Sequence, residues 1–159
     1  MPPFSVPAPW LGKDMRNFIK IVFAVAVVLV SANASARDRL VTYEQIPQTA
    51  KTFVTTHFAD QKVSYAKIDD GKYEVKLADG SELEFTKAGE WIKADCKYSA
   101  MPASVVALVP AGIPLAVKER FPDAVIVKID KGWRNIEIEL DNDLELVFNK
   151  KGELVRIDD

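Results

Sequence analysis

The chain of 159 residues holds one histidine and one cysteine, His57 and Cys96. Nucleophilic catalysis needs a base within hydrogen-bond reach of a hydroxyl or thiol, with a third group orienting the base. His57 falls on the edge of an apolar helical stripe, and its counterpart in an internal repeat is Arg120. An amphipathic boundary position accounts for both. Cys96 falls at the end of an expected strand. With no second cysteine, an intramolecular disulfide is excluded. Pairing with another chain or service as a reactive thiol stands against the plainer expectation of a half-buried strand-end residue. No Gly-rich phosphate loop and no metal-ligand spacing occurs. We therefore assign no catalytic residue, no cofactor and no metal, and expect a protein that is not an enzyme.

Carboxylates and aromatics remain. Glu74, Glu82, Glu84, Glu137, Glu139 and Glu145 recur on one face of the expected strands. As acid/base pairs or calcium ligands they would need clustering on a bent loop. They alternate instead with Lys76, Lys93, Lys128 and Arg156, so cross-strand ion pairs worth roughly 0.2–1 kcal/mol each explain them. On the same face, parity places Tyr65, Trp91 and Trp133 with Ile126, Val147 and Leu154. Aromatic side chains among charges are the material of protein-binding hot spots. Packing on their neighbours or covering a sheet edge is the alternative. The candidate partner-binding set is Tyr65, Trp91, Trp133, Glu84, Glu139 and Leu154.

These residues are positioned by a unit written twice. Residues 46–95 and 109–158 match at an offset of about 63 positions. Ile46-Pro47 pairs with Val109-Pro110, Phe58-Ala59-Asp60 with Phe121-Pro122-Asp123, and Lys87-Ala88-Gly89-Glu90 with Lys150-Lys151-Gly152-Glu153. One stretch, Lys67-Ile68-Asp69, matches Lys128-Ile129-Asp130 two residues early, which predicts a longer following loop in copy two. Each copy opens with a helix. Ile46, Ala50, Phe53, Val54, His57 and Phe58 share one helical face, and Val109, Ile113, Val117 and Phe121 repeat it. Thr42 to Gln45 has capping-box spacing.

Strands are predicted at about 62–69, 72–78, 81–87 and 90–95, then 124–130, 133–141, 144–149 and 153–158. Short turns such as Asp70-Gly71, Asp79-Gly80, Lys131-Gly132 and Asn142-Asp143 separate them, so neighbours run antiparallel. Tyr73, Val75, Leu77, Leu83, Phe85, Ile92 and Ala94 face the helix. Ile136, Ile138, Leu140, Leu146, Phe148, Val155 and Ile157 do so in copy two. The fold class is α+β: two tandem αββββ repeats forming one antiparallel, about eight-stranded sheet with helices on one face. Residues 37–96 form the first repeat, 97–108 a linker with a short helix, and 109–159 the second repeat.

Residues 1–36 read as an extension followed by a secretion signal at 15–36. Arg16 and Lys20 precede ten apolar residues, Ile21 to Val30, and the small-residue run ending at Ala36 offers a cleavage site. Ten apolar residues are too few for a bilayer, which takes roughly 20. Removing 1–36 takes away Lys13, Arg16, Lys20 and Asp14. That leaves 18 of 21 basic and 22 of 23 acidic side chains, a mildly acidic remainder. No basic run suggests nucleic acid, and no membrane attachment is expected after cleavage.

The module opening x-Pro, the Phe-Ala-Asp and Phe-Pro-Asp segments, the Leu-Glu-Phe strand of copy one (Leu-Val-Phe in copy two) and the Lys-x-Gly-Glu turn together resemble the PepSY-like family of secreted bacterial proteins. The residues are Pro47, Phe58, Asp60, Leu83, Phe85 and Gly89, then Pro110, Phe121, Pro122, Asp123, Leu146, Phe148 and Gly152. The resemblance implies a tandem α/β architecture like that of the β-lactamase inhibitor protein, with a concave sheet, in the periplasm or outside the cell, and it brings no catalytic residues. It also implies a link to peptidase regulation and an enzyme-binding sheet face. The expected function is a secreted binding module recognising an envelope or secreted protein or peptide on the open face of its sheet. Two rivals are an inhibitor or regulator of a secreted peptidase or β-lactamase, and an envelope metal-binding protein or enzyme.

Overall fold

Two apolar periodicities build two layers. The strands in chain order are β1 (Asp38–Val41), β2 (Val63–Asp69), β3 (Lys72–Leu77), β4 (Glu82–Phe85), β5 (Trp91–Asp95), β6 (Ile126–Asp130), β7 (Asn135–Leu140), β8 (Glu145–Asn149) and β9 (Leu154–Asp158). The helices are α1 (Gln48–His57), α2 (Ala103–Val106) and α3 (Gly112–Arg120). The computed structural model describes residues 38–159, so the expected secretion signal lies outside them. The strands form one sheet in sequence order, every neighbour antiparallel. Eight were expected, and β1 is the ninth. Four residues are too few to display an alternation that sequence periodicity can detect.

The register explains the core. Val41, Ala66, Val75, Leu83, Ala94, Ile129, Ile138, Leu146 and Ile157 are successive cross-strand partners, an apolar row over all nine strands. From Ala66 to Leu146 every member is buried. Helix residues Ala50, Phe53, Val54, Ile113 and Val117 close the same core from above. Equivalent partners in the two copies, Ala66 and Ile129 or Val75 and Ile138, keep one constant offset. The apparent two-residue drift at Lys128-Ile129-Asp130 is therefore a chance match. The β2–β3 ladder runs to Asp69 opposite Lys72, whereas the β6–β7 ladder stops at Asp130 opposite Glu137. Residues 131–134 leave the ladder and form the longer loop.

Four irregularities, near Val63/Tyr65, Glu84/Phe85, Ile126/Lys128 and Val147/Phe148, break parity. An extra residue in one strand moves everything beyond it to the other face. Ile126 thereby pairs with Leu140 in the core rather than facing solvent. Val155 falls in the bulge of the last strand and is exposed, against its expected place under the helix.

Helices α1 and α3 each dock on the turn that leads into the last strand of their own copy. The Thr42 N–H donates to Gln45 Oε1 at 2.9 Å. That capping box closes a 3-10 turn, Tyr43–Gln45, rather than α1. The chain then extends through Ile46 and Pro47, and α1 starts at Gln48. Pro47 presses on Gly89: a Cβ built there would lie 2.7 Å from Pro47 Cβ, and φ is +89°. Copy two repeats the contact. A Cβ on Gly152 would lie 2.8 Å from Pro110 Cβ, with φ +84°. Both glycines are needed for backbone conformation and for space. Gly89→Ala and Gly152→Ala should each destabilise the fold by about 1–3 kcal/mol, read as a lowered urea midpoint at unchanged slope. Gly80→Ala, with open space around it, should cost less.

Candidate functional site

Period-two strands place two charged rows on the face away from the helices. One runs Leu40, Lys67, Glu74, Glu84, Lys93, Asp130, Glu137, Val147, Arg156; the other runs Tyr65, Lys76, Glu82, Asp95, Lys128, Glu139, Glu145, Asp158. Ion pairs lace them across strands: Lys67–Glu74 at 3.2 Å, Lys93–Glu84 at 3.1 Å, Lys128–Glu139 at 3.0 Å, and Glu82 with both Lys76 and Lys97. The Lys76 hydrogen bond holds the Glu82 carboxyl below its ordinary range. Glu84 and Glu139 are thus members of the lattice. Tyr65 stands in the second row, 41% exposed. It is the single aromatic in either row.

The other aromatics left this face. The bulge beside Phe85 sets Trp91 opposite Phe85, on the helix side. Leu154 occupies the equivalent place opposite Phe148 and packs against the core. Trp133 is in no strand: it stands at the tip of the β6–β7 loop, 91% exposed. The six candidate residues are therefore not one surface. Tyr65, Glu84 and Glu139 share the open face, and Trp91, Leu154 and Trp133 do not.

Trp91 belongs to a groove of about 630 Å³ between α1, β5 and the β6–β7 loop. Its indole stacks on Phe53, ring centroids 5.4 Å apart and planes 23° from parallel. Phe53 also contacts the His57 ring at 4.6 Å. The Lys131 ammonium lies 3.9 Å from the Trp91 ring centre, a cation–π contact. Thr49, Thr52 and Thr56, about one helical turn apart, line the α1 wall. Lys150 closes the far end and donates from Nζ to the Gly132 carbonyl. Burial, and then the charge of Lys150, push the Lys131 ammonium below the ordinary lysine range.

The groove exists once although the scaffold is duplicated. Phe53, His57 and Trp91 are replaced in copy two by Ala116, Arg120 and Leu154. Lys131 takes the position that Ile68 holds in copy one, and its N–H donates to the Ile92 carbonyl at 2.7 Å across the junction of the repeats. The sequence signal was present: the copies differ at each of these positions.

His57 Nδ1 and Ser104 Oγ share a hydrogen bond at 2.8 Å, tying α1 to α2. Burial lowers the His57 pKa. Cys96 is buried against Met101, Sγ to Sδ 3.7 Å, and burial pushes its thiol up to about 11. It is a protonated core residue at neutral pH, more deeply buried than expected. Among the described residues no three of His, Cys, Asp and Glu gather closely enough to hold a metal ion, and no helix is long and apolar enough to cross a membrane.

The family model "Putative beta-lactamase-inhibitor-like, PepSY-like" matches twice, over residues 33–77 and 71–156. This chain belongs to the PepSY-like family. None of the curated proteins matches it. Three solved structures are similar over most of their length. A "putative calcium-regulated periplasmic protein" from Bacteroides thetaiotaomicron is 37% identical, with TM-score 0.71, over 77% of this chain and 97% of its own. A putative periplasmic protein of the DUF2874 family from Bacteroides vulgatus is 38% identical, TM-score 0.72, over 79% and 100%. A putative periplasmic protein of unknown function from Bacteroides vulgatus is 33% identical, TM-score 0.72, over 77% and 99%. The PepSY-like match accounts for the duplicated scaffold. It names no enzyme activity.

The His57 shift has a measurable sign. A histidine whose folded pKa is depressed binds its proton more readily when unfolded, so stability falls as pH drops through the ordinary histidine range, near 6.5. Urea unfolding from pH 7.5 to 5.5 should show this decline, above the pH at which most carboxylates titrate. His57→Gln should flatten it in that window.

Proposed function

We propose that this PepSY-like protein is a non-enzymatic binding module of the bacterial envelope, acting in the periplasm or outside the cell, and that it recognises a protein or peptide partner at the Trp91 groove rather than on the open face. One observation carries the reading. The exposed edge of an aromatic stack, Trp91 on Phe53, lines an open groove with a half-buried cation, whereas on the open face Lys67, Lys93 and Lys128 are already paired with Glu74, Glu84 and Glu139. Aromatic rings beside placed polar groups are what binding sites are built from, and charges already paired with neighbours offer a partner little. The periplasmic descriptions of the similar structures support the location.

Capture from envelope extract of the source cell tests the site. Trp91→Ala should lose the partner held by the unaltered protein, with far-UV circular dichroism and urea midpoint verifying the fold. Tyr65→Ala and Glu84→Ala should keep it. The reverse pattern would return the site to the open face.

The narrower role, inhibitor or regulator of a secreted peptidase or β-lactamase, draws its support from the family description. The purified protein, assayed against a panel of such enzymes, should then slow at least one of them, with Trp91→Ala relieving the effect. Full activity of every enzyme at saturating protein would discard this role while leaving the binding module.

A further inference from the structure

We infer that the groove takes an anionic ligand with an apolar body, a carboxylate attached beside an aromatic or branched side chain as at a peptide C-terminus. This rests on the groove being the binding site and adds the chemistry of what fills it.

The argument is charge complementarity around an apolar wall. Lys131 and Lys150 stand at one end, joined through the Gly132 carbonyl that Lys150 Nζ reaches, and the charge of Lys150 opposes that of Lys131. Among the described residues neither forms an ion pair with a carboxylate. The groups facing the groove are those two lysines, the Glu90 side chain and His57. His57 is neutral at pH 7, because burial lowers its pKa. The end therefore carries two cations against one carboxylate. A half-buried lysine beside a like charge is unfavourable, and a ligand anion relieves it. The neighbouring wall, Trp91 stacked on Phe53 with Ile92, presents rings and a branched chain rather than further charge. Copy two holds Ala116, Leu154 and Val155 at the corresponding positions. The combination of cations and stacked rings is thus a property of this groove and not of the fold. Thr49, Thr52 and Thr56 of α1 line the same space and add polar groups to the wall. A volume of about 630 Å³ accommodates several residues of peptide.

The test uses the protein purified from the envelope of cells expressing the full chain, labelled with 15N. Indole signals are assigned with Trp91→Phe and Trp133→Phe. Three probes are titrated: an acetylated tripeptide Ala-Ala-Phe with a free C-terminus, the same peptide as its C-terminal amide, and N-acetylphenylalanine. The free acid should shift the Trp91 indole and bind about tenfold more tightly than the amide, the size of one charge-assisted contact. Lys131→Met, which keeps the stem, and Lys150→Gln, at a more exposed site, should each erase most of that difference. N-acetylphenylalanine matching the tripeptide would place the ligand among small free acids; weaker binding would place it among peptide C-termini. Both results support the inference. Equal affinity for acid and amide overturns it while leaving the groove as the site. No Trp91 response to any probe, with partner capture still abolished by Trp91→Ala, overturns it in the same way. Partner capture that survives Trp91→Ala instead removes the functional reading beneath it.

Discussion

Helices α1 and α3 each reach the sheet through a contact too tight for a side chain. Pro47 against Gly89 and Pro110 against Gly152 bring the start of a helix down onto a turn of the same copy. The proline fixes φ in the approaching segment, and the glycine's positive φ lets the turn bend beneath it. With the helix entry held there, Ala50, Phe53 and Val54 fall over the apolar row of β2 to β5, and Ile113 and Val117 over that of β6 to β8. The groove depends on the same anchor. Gly89 and Trp91 are two residues apart, so the contact that seats α1 also brings Phe53 over the indole.

The bulges do for the sheet what the glycines do for the helices. A regular β5 would have sent Trp91 to the wet face among charges, as simple alternation predicts. The extra residue opposite Phe85 turns it inward, where it meets Phe53. One local irregularity thus separates the molecule into a charged face with few anchors and a helix side with an aromatic groove. The PepSY-like scaffold supplies the same bulge in copy two, where Leu154 simply fills the core margin. A shared backbone carries the aromatic stack in only one of its two copies.

Much of this was legible in the residues, and the failures have physical causes. Strands β3, β4, β7 and β8 obey alternation because their ladders are regular, so Val75, Leu83, Ile138 and Leu146 were placed correctly. The helical stripes were also legible, since Ile46, Phe53 and Val117 have no other way to reach an apolar layer. Faces were misassigned for Trp91, Ile126, Leu154 and Val155, all at or beside a bulge, which alternation cannot register. Trp133 was misplaced for a different reason: the ladder ends early at Asp130, so a residue expected in a strand stands at a loop tip. The groove combines residues from both copies, and no pattern within one copy could reveal it.

Strand order has a kinetic consequence. Every strand pairs only with its neighbours in sequence, from β1 to β9, without a crossover. Within β2–β5 and within β6–β9, pairing needs only short loops to close, so the entropy of each step is small and rewarded at once. The sheet can therefore grow hairpin by hairpin as the chain becomes available, rather than waiting for distant segments to meet. Its weakest moment is the crossing from β5 to β6, where the chain must first traverse α2 and α3. That crossing joins two half-sheets into one, and it is where slow folding and premature association between chains would concentrate.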